Sequence, residues 1–252
     1  MKKLTLTISI VFLQIGLLLA NSNPELIEEA NEAYNAGNYD IAIAKYDRIL
    51  DSGKESAELY YNLGNAYFKN EQLAPAILNY ERAKQLEPFN ERINHNLEFA
   101  KQQQKDAIEK LPVMFYVRWW HQLTKLFPLK TWAILSIILI FISSLLWALF
   151  ISSRSVSKRK AFFWPAIVTA ILFVFTLFIS LRNYNHIRED KSAIIFENVV
   201  TGKSSPSNDS ENLFIIHEGL KVHILNKVGE WYEVRLPDGT VGWIHKSNMK
   251  VI

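Results

Sequence analysis

The 252-residue chain contains no cysteine, which excludes disulfides, thiolate-bound metal and a cysteine nucleophile. Any exported part of it is therefore stabilised by packing alone. It also lacks an excess of either charge: 28 Lys plus Arg stand against 25 Asp plus Glu, so a polyanion partner for the whole chain, nucleic acid included, is not indicated. No phosphate-binding glycine loop, no nucleophile, histidine and acid arrangement, and no metal motif is present. His217, His223 and His245 have no ligand spacing and read as solvated. Acids such as Asp40, Glu58 and Glu87 read as helix surface. These absences point away from catalysis, cofactors and metals.

Uncharged length, by contrast, is plentiful. Lys2 and Lys3 precede an uncharged stretch over 4–20 and then Asn21, Ser22 and Asn23, the layout of a secretory signal at 1–20. Cleavage is expected after Ala20; Leu18 stands where a small residue is preferred, so an uncleaved anchor is the other outcome, and both export the residues downstream. Two further runs, uncharged over 131–153 and 161–181, are long enough to cross about 30 Å of hydrocarbon, and 129–153 and 161–181 are read as transmembrane helices. Pro165 is expected in the first turn of the second, where its missing N–H costs little. The loop between them, 154–160, carries Arg154, Lys158, Arg159 and Lys160 without an acid, which places it in the cytoplasm. Arg118, Lys125, Lys130, Arg182 and Arg188 on the outer flanks weaken that asymmetry. Before the first span, 111–128 interleaves Phe115, Trp119 and Trp120 with Arg118, His121 and Lys125, as an interfacial amphipathic helix does. A linker helix packed on the upstream helices is the alternative.

Residues 57–90 form one 34-residue unit with Tyr60, Leu63, Gly64, Tyr67, Ala76, Tyr80, Ala83 and Pro88 at the positions of a tetratricopeptide repeat, which it resembles. An offset of 34 residues sets Ala30 under Gly64, Ala33 under Tyr67, Ala42 under Ala76, Tyr46 under Tyr80 and Ile49 under Ala83, so 23–56 is a second repeat, with Gly37 at its turn. Ile93, Leu97 and Ala100 share one face of a capping helix over 91–110. Such hairpins present a concave surface to a partner. That surface is expected to carry Tyr61, Asn62, Asn65, Phe68 and Lys69, with Ile27, Asn31 and Asn35 from the first repeat and Arg92 from the cap. Asn31, Asn62 and Arg92 fall where carboxylate-clamp repeats hold a C-terminal acid, but Ile27 and Asn96 depart from that pattern. A peptide groove without the full clamp is the preferred reading; asparagines there also serve helix packing.

From 192 to 252 the pattern turns to short strands, with Pro237, Asp238 and Gly239 as a tight hairpin and 201–212 as a long polar loop. Five strands in about sixty residues predict a closed small barrel. The run 214–244, with its His217, Glu218, Gly219 turn, Trp231, and Gly242 and Trp243 after the Asp238, Gly239 turn, resembles a bacterial SH3 domain. Trp231, Tyr232 and Trp243 either line a peptide or glycan groove or complete a small core. The expected fold is thus multidomain: an all-α tetratricopeptide solenoid, two transmembrane helices and an all-β SH3-like barrel. This domain order resembles the BatE-type proteins of the Bacteroides aerotolerance group. The resemblance implies an envelope protein acting with membrane proteins that carry von Willebrand factor A domains, under oxidative or envelope stress. Expected partners are envelope or membrane proteins, membrane lipid and, through the barrel, peptidoglycan. The expected location is the bacterial inner membrane, with both soluble parts on the periplasmic side.

Overall fold

The computed structural model describes residues 24–252 apart from 110, 113, 125 and 190; the signal segment 1–20 lies outside them. Helices α1 (Pro24–Asn35) and α2 (Tyr39–Asp51) form one hairpin, α3 (Ala57–Lys69) and α4 (Leu73–Leu86) the next, and α5 (Glu91–Lys101) comes after them. Their starts and stops are written locally. Ser56 accepts from the Leu59 amide at 3.1 Å and Asn90 from Arg92 and Ile93, each satisfying first-turn donors that have no helical partner. Gly37 turns the first hairpin at φ +78°, a conformation that other residues adopt at a cost. Between the helices, Ala42, Tyr46 and Ile49 are buried, and so are Ala76, Tyr80 and Ala83, their counterparts 34 residues on. Burial of each large side chain contributes about 1.5–3 kcal/mol. Small residues set how closely the helices approach: a Cβ on Gly64 would stand 2.8 Å from the Tyr80 ring. Helix α5 stops at Lys101 rather than continuing to 110, because its apolar stripe ends at Ala100 and a glutamine run succeeds it.

The C-terminal residues fold as an antiparallel sheet of β1 (Ser192–Ile195), β2 (Val199–Lys203), β3 (Asn212–His217), β4 (Lys221–Val228), β5 (Trp231–Arg235), β6 (Val241–His245) and β7 (Met249–Val251). The strand order is β3-β2-β6-β5-β4-β1-β7. This corrects the expected closed, five-stranded barrel: the ladder is open, and β2 and β7 join it from stretches that read as a loop and a tail. The segment at β2 is short and glycine-interrupted, so its alternation is weak in the sequence, and a bulge at Gly202/Lys203 breaks its pairing with β3. Gly239 turns the β5–β6 hairpin at φ +92°, as the Pro237, Asp238, Gly239 sequence requires.

The chain divides into two compact units. In the first, 193–221 and 244–252 lie with the helical repeats. Strand β1 is buried along its whole length. Ile194 joins the cluster of Ile77, Leu97 and Ala100, while Phe196 and Ile252 pack at its margin.

In the second unit, α6 (Phe115–Thr124) precedes two long apolar helices, α7 (Leu129–Ser152) and α8 (Val156–Glu189). Only 11% and 17% of their most apolar windows are buried within the protein, so they are not core helices of a soluble fold; they are suited to membrane insertion. They pack through small and hydroxylated residues: Ala166 is fully buried, and Ser143 donates to its carbonyl oxygen at 3.3 Å. Pro165 lies inside α8, not in its first turn, because the helix begins at Val156 and takes in Lys158, Arg159 and Lys160. The expected loop therefore contracts to 153–155.

Candidate functional site

The inward face of the repeats is an ordered set of three rows. On α3, Tyr61, Asn65 and Phe68 recur at the four- and three-residue steps of one helical stripe, and on α5 Arg92, Asn96 and Phe99 do the same. The two stripes meet rung by rung. The Arg92 guanidinium lies 5.1 Å from the Tyr61 ring centroid, Asn96 donates to Asn65 Oδ1 at 2.8 Å and to the Tyr61 hydroxyl at 3.1 Å, and the Phe68 and Phe99 rings are 5.7 Å apart. Ile27, Asn31 and Tyr34 occupy the corresponding positions 34 residues earlier on α1. The face is thus graded: charge at one end, amides in the middle, aromatic rings at the other.

Several of the residues expected here already have partners. Tyr80 donates to Asn65 Oδ1 at 2.8 Å, and Tyr46 donates to Asn31 Oδ1 at 2.6 Å, the same bond one repeat earlier. Both asparagines therefore tie the two helices of their own hairpin together. Arg92 pairs with Glu58 at 2.9 Å, its counterpart one repeat back, with both side chains about 60% exposed. A guanidinium with a carboxylate beside it is a poor receptor for a second carboxylate, which counts against the clamp chemistry. Asn62 is half-buried, and Lys69 and Asn35 are exposed. Asn62 and Lys69 make no side-chain bond among the described residues. Phe99, exposed beside Phe68, lies on this face but outside the expected set, although the 34-residue phase that brings in Asn31 and Asn65 reaches it one step later.

On the sheet, strand alternation sorts the three aromatics. Val234 and Ile244 point into the core, so Tyr232 shares the core face of β5, while Trp231 and Trp243 stand on the opposite face of β5 and β6. All three are half-buried, and Lys227 lies 5.6 Å from the Tyr232 ring centroid. The two tryptophans thus share a surface that Tyr232 does not. Among the histidines, His217 is not solvated as expected. Its backbone N–H donates to Asp106 Oδ2 at 2.6 Å and its ring Nδ1 lies 2.8 Å from Oδ1. Linear sequence carries no sign of that pairing, since 111 residues separate the two.

One buried acid has no signal in the sequence at all. Glu81 is enclosed between Lys101 at 2.8 Å and Lys221 at 2.9 Å. Burial pushes its carboxyl up, but Lys221 and Lys101 outweigh that and hold it below the usual carboxylate range. The cluster joins α4, the end of α5 and β4. Glu98, 3.7 Å from Lys101, adds a second carboxylate, so two acids face two lysines in this docking contact.

Residues 27–91 match the tetratricopeptide repeat family, and residues 203–250 match the bacterial SH3 domain family. No curated protein matches the chain. Both matched families are built as binding modules rather than catalytic ones.

Proposed function

We propose that this chain, a tetratricopeptide and bacterial SH3 protein with a membrane-inserting helical pair, is a membrane-anchored scaffold of the bacterial cell envelope. Its repeat groove takes an extended segment of another envelope protein. The observation that carries the reading is the graded face, in which Asn62, Lys69, Phe68 and Phe99 offer amide, cation and ring surface while Asn31, Asn65 and Asn96 brace the helices. Peptide is the ligand that uses such a mixture, because its backbone bonds to amides and its side chains take the rings. The pairing of Arg92 with Glu58 favours an internal segment over a free C-terminus.

α7 and α8 fix the scaffold in the inner membrane, and the basic start of α8 lies in the cytoplasm. The repeats and the sheet are then periplasmic. The BatE-type resemblance adds membrane proteins with von Willebrand factor A domains as partners and a stress setting. It rests on domain order, and the two family matches do not extend to it.

Capture from detergent extracts of envelope membranes tests this reading. The intact chain should retain a partner that is lost with Asn62→Ala, Phe68→Ala and Phe99→Ala combined. Equal recovery by both proteins would remove the groove from the proposal. A reporter fused at Ile252 reads the topology, and a cytoplasmic signal would overturn the periplasmic assignment.

A second reading, cell-wall binding through the SH3-like sheet, is favoured by one observation: Trp231 and Trp243 stand on a common face, where aromatic rings could stack on glycan. Sedimentation of the detergent-solubilised chain with purified peptidoglycan discriminates. Trp231→Ala with Trp243→Ala should abolish co-sedimentation under this reading, and no sedimentation of the intact chain would eliminate it.

A further inference from the structure

The ten-residue helix α6 divides into three lengthwise sectors. One is packed: the Trp120 ring lies 6.1 Å from Phe178 of α8, and the Thr124 carbonyl, an unsatisfied end of the helix, accepts from the Trp132 indole of α7 at 3.2 Å. Phe127, just beyond the helix, meets Trp132 edge to face at 5.4 Å. A second sector, centred on Arg118, is polar and exposed. The third lies between them and is apolar, yet Phe115, Tyr116 and Trp119 are 82%, 55% and 63% exposed. Three large rings on one face of a short helix form a patch that a surface in water does not keep uncovered.

Position supplies the occupant. Trp132 lies near the start of α7 and Phe178 in the last third of α8, so both anchors of α6 are at the same end of the helical pair. That pair is suited to the bilayer, and Phe178 also lines an apolar groove of about 560 Å³ along α8, with Trp147, Ile171 and Val174. The uncovered rings of α6 therefore continue the lipid-facing surface of the pair at the depth where hydrocarbon gives way to headgroups. Tyrosine and tryptophan, with an apolar ring and a polar tip, are the side chains that this layer holds best. We infer that α6 is a membrane-surface helix whose Phe115, Tyr116 and Trp119 insert at the boundary between headgroups and acyl chains, while Arg118 faces water. It works as a collar: the two anchors set its rotation, and the inserted rings set the depth at which the chain leaves the membrane.

The absence of cysteine makes the test direct. Phe115→Cys, Trp119→Cys and Arg118→Cys, each in the full chain, carry a nitroxide in nanodiscs of phosphatidylethanolamine and phosphatidylglycerol. Collision with oxygen, which concentrates in lipid, is compared with collision with a water-soluble nickel chelate. Labels at 115 and 119 should favour oxygen and the label at 118 nickel, a reversal within one helix. Nickel access at 115 and 119 equal to that at 118 would overturn the inference. So would labels at 115 and 119 shielded from both reagents, which would mean that protein covers the rings. Tyr116→Cys, the third ring of the face, is read in the same way, with the same two outcomes.

Discussion

Arg82 of α4 donates from Nη2 to the carbonyl oxygen of Val251 in β7 at 3.1 Å. On β3, at the other end of the strand order, Asp106 accepts the His217 N–H. An open sheet leaves unpaired donors and acceptors at its outer strands, a standing template for strand addition. Here each end is met by a charge of the matching kind from the helical part of the chain, a cation on a carbonyl and a carboxylate on an amide.

Removing both caps should therefore expose the edges. Arg82→Ala with Asp106→Ala is expected to speed amide exchange in 212–217 and 249–251, and to raise the fraction of self-associated protein in detergent. Unchanged exchange in those strands would show that the caps do not protect them.

The Glu81 cluster predicts an acid-sensitive contact. Its folded carboxyl is held low, so the stabilisation is complete above the ordinary carboxylate pKa and is lost as pH falls through the depressed folded value. Exchange in 193–196 should rise steeply on that descent. Glu81→Gln leaves Lys221 without its carboxylate and Lys101 with only the exposed Glu98 at 3.7 Å, and is expected to cost about 2–3 kcal/mol, less than a fully buried pair because both lysines keep some water contact. The variant should also lose the acid step, and an identical pH profile would refute the assignment.

At the alkaline end the phenols take over. Burial, with Tyr34 and Glu58 nearby, pushes Tyr46 from 10.0 up to about 12, and burial raises Tyr80 as well. A raised folded value means stability that is fully present below pH 10 and lost as pH climbs through the folded pKa. Absorbance of phenolate and helical ellipticity should thus change together in this range. Tyr46→Phe should remove part of the late absorbance step and, by breaking the bond to Asn31, cost about 1 kcal/mol. Helix that persists after all phenols have ionised would contradict this.

Gly64 offers a packing test. Its α-helical position would gain about 1 kcal/mol from alanine by propensity, but overpacking costs about 1–3 kcal/mol. The Tyr80 ring, 2.8 Å from the added Cβ, is buried and tied at its hydroxyl by Asn65, so it has little room to yield. Gly64→Ala should lower repeat stability by about 1 kcal/mol in thermal or denaturant unfolding. The first repeat already has Ala30 at this place, so changing Ala30→Gly should also destabilise, by loss of propensity.

The groove shows how far periodicity carries. The 34-residue phase places Tyr61, Asn65 and Phe68 on one stripe, and the same phase contains Phe99. It does not reveal that Asn31 and Asn65 spend their carbonyl oxygens on Tyr46 and Tyr80, because a polar side chain on an inward stripe reads alike whether it binds a partner or a neighbouring helix. Strand β1 is legible as apolar but not as doubly buried, since that needs the helical repeats against its second face.

Sequence by itself determined the repeats, the two apolar helices and the turn chemistry of the sheet, because each arises from forces between residues near one another in the chain: helical stripes, caps, uncharged length and glycine at positive φ. Tertiary structure alone decided which charges are matched, that the sheet stays open and where its edges are capped. Those outcomes depend on residues such as Glu81 and Lys221, 140 positions apart. Local pattern does not encode such meetings; they exist only once the chain has folded.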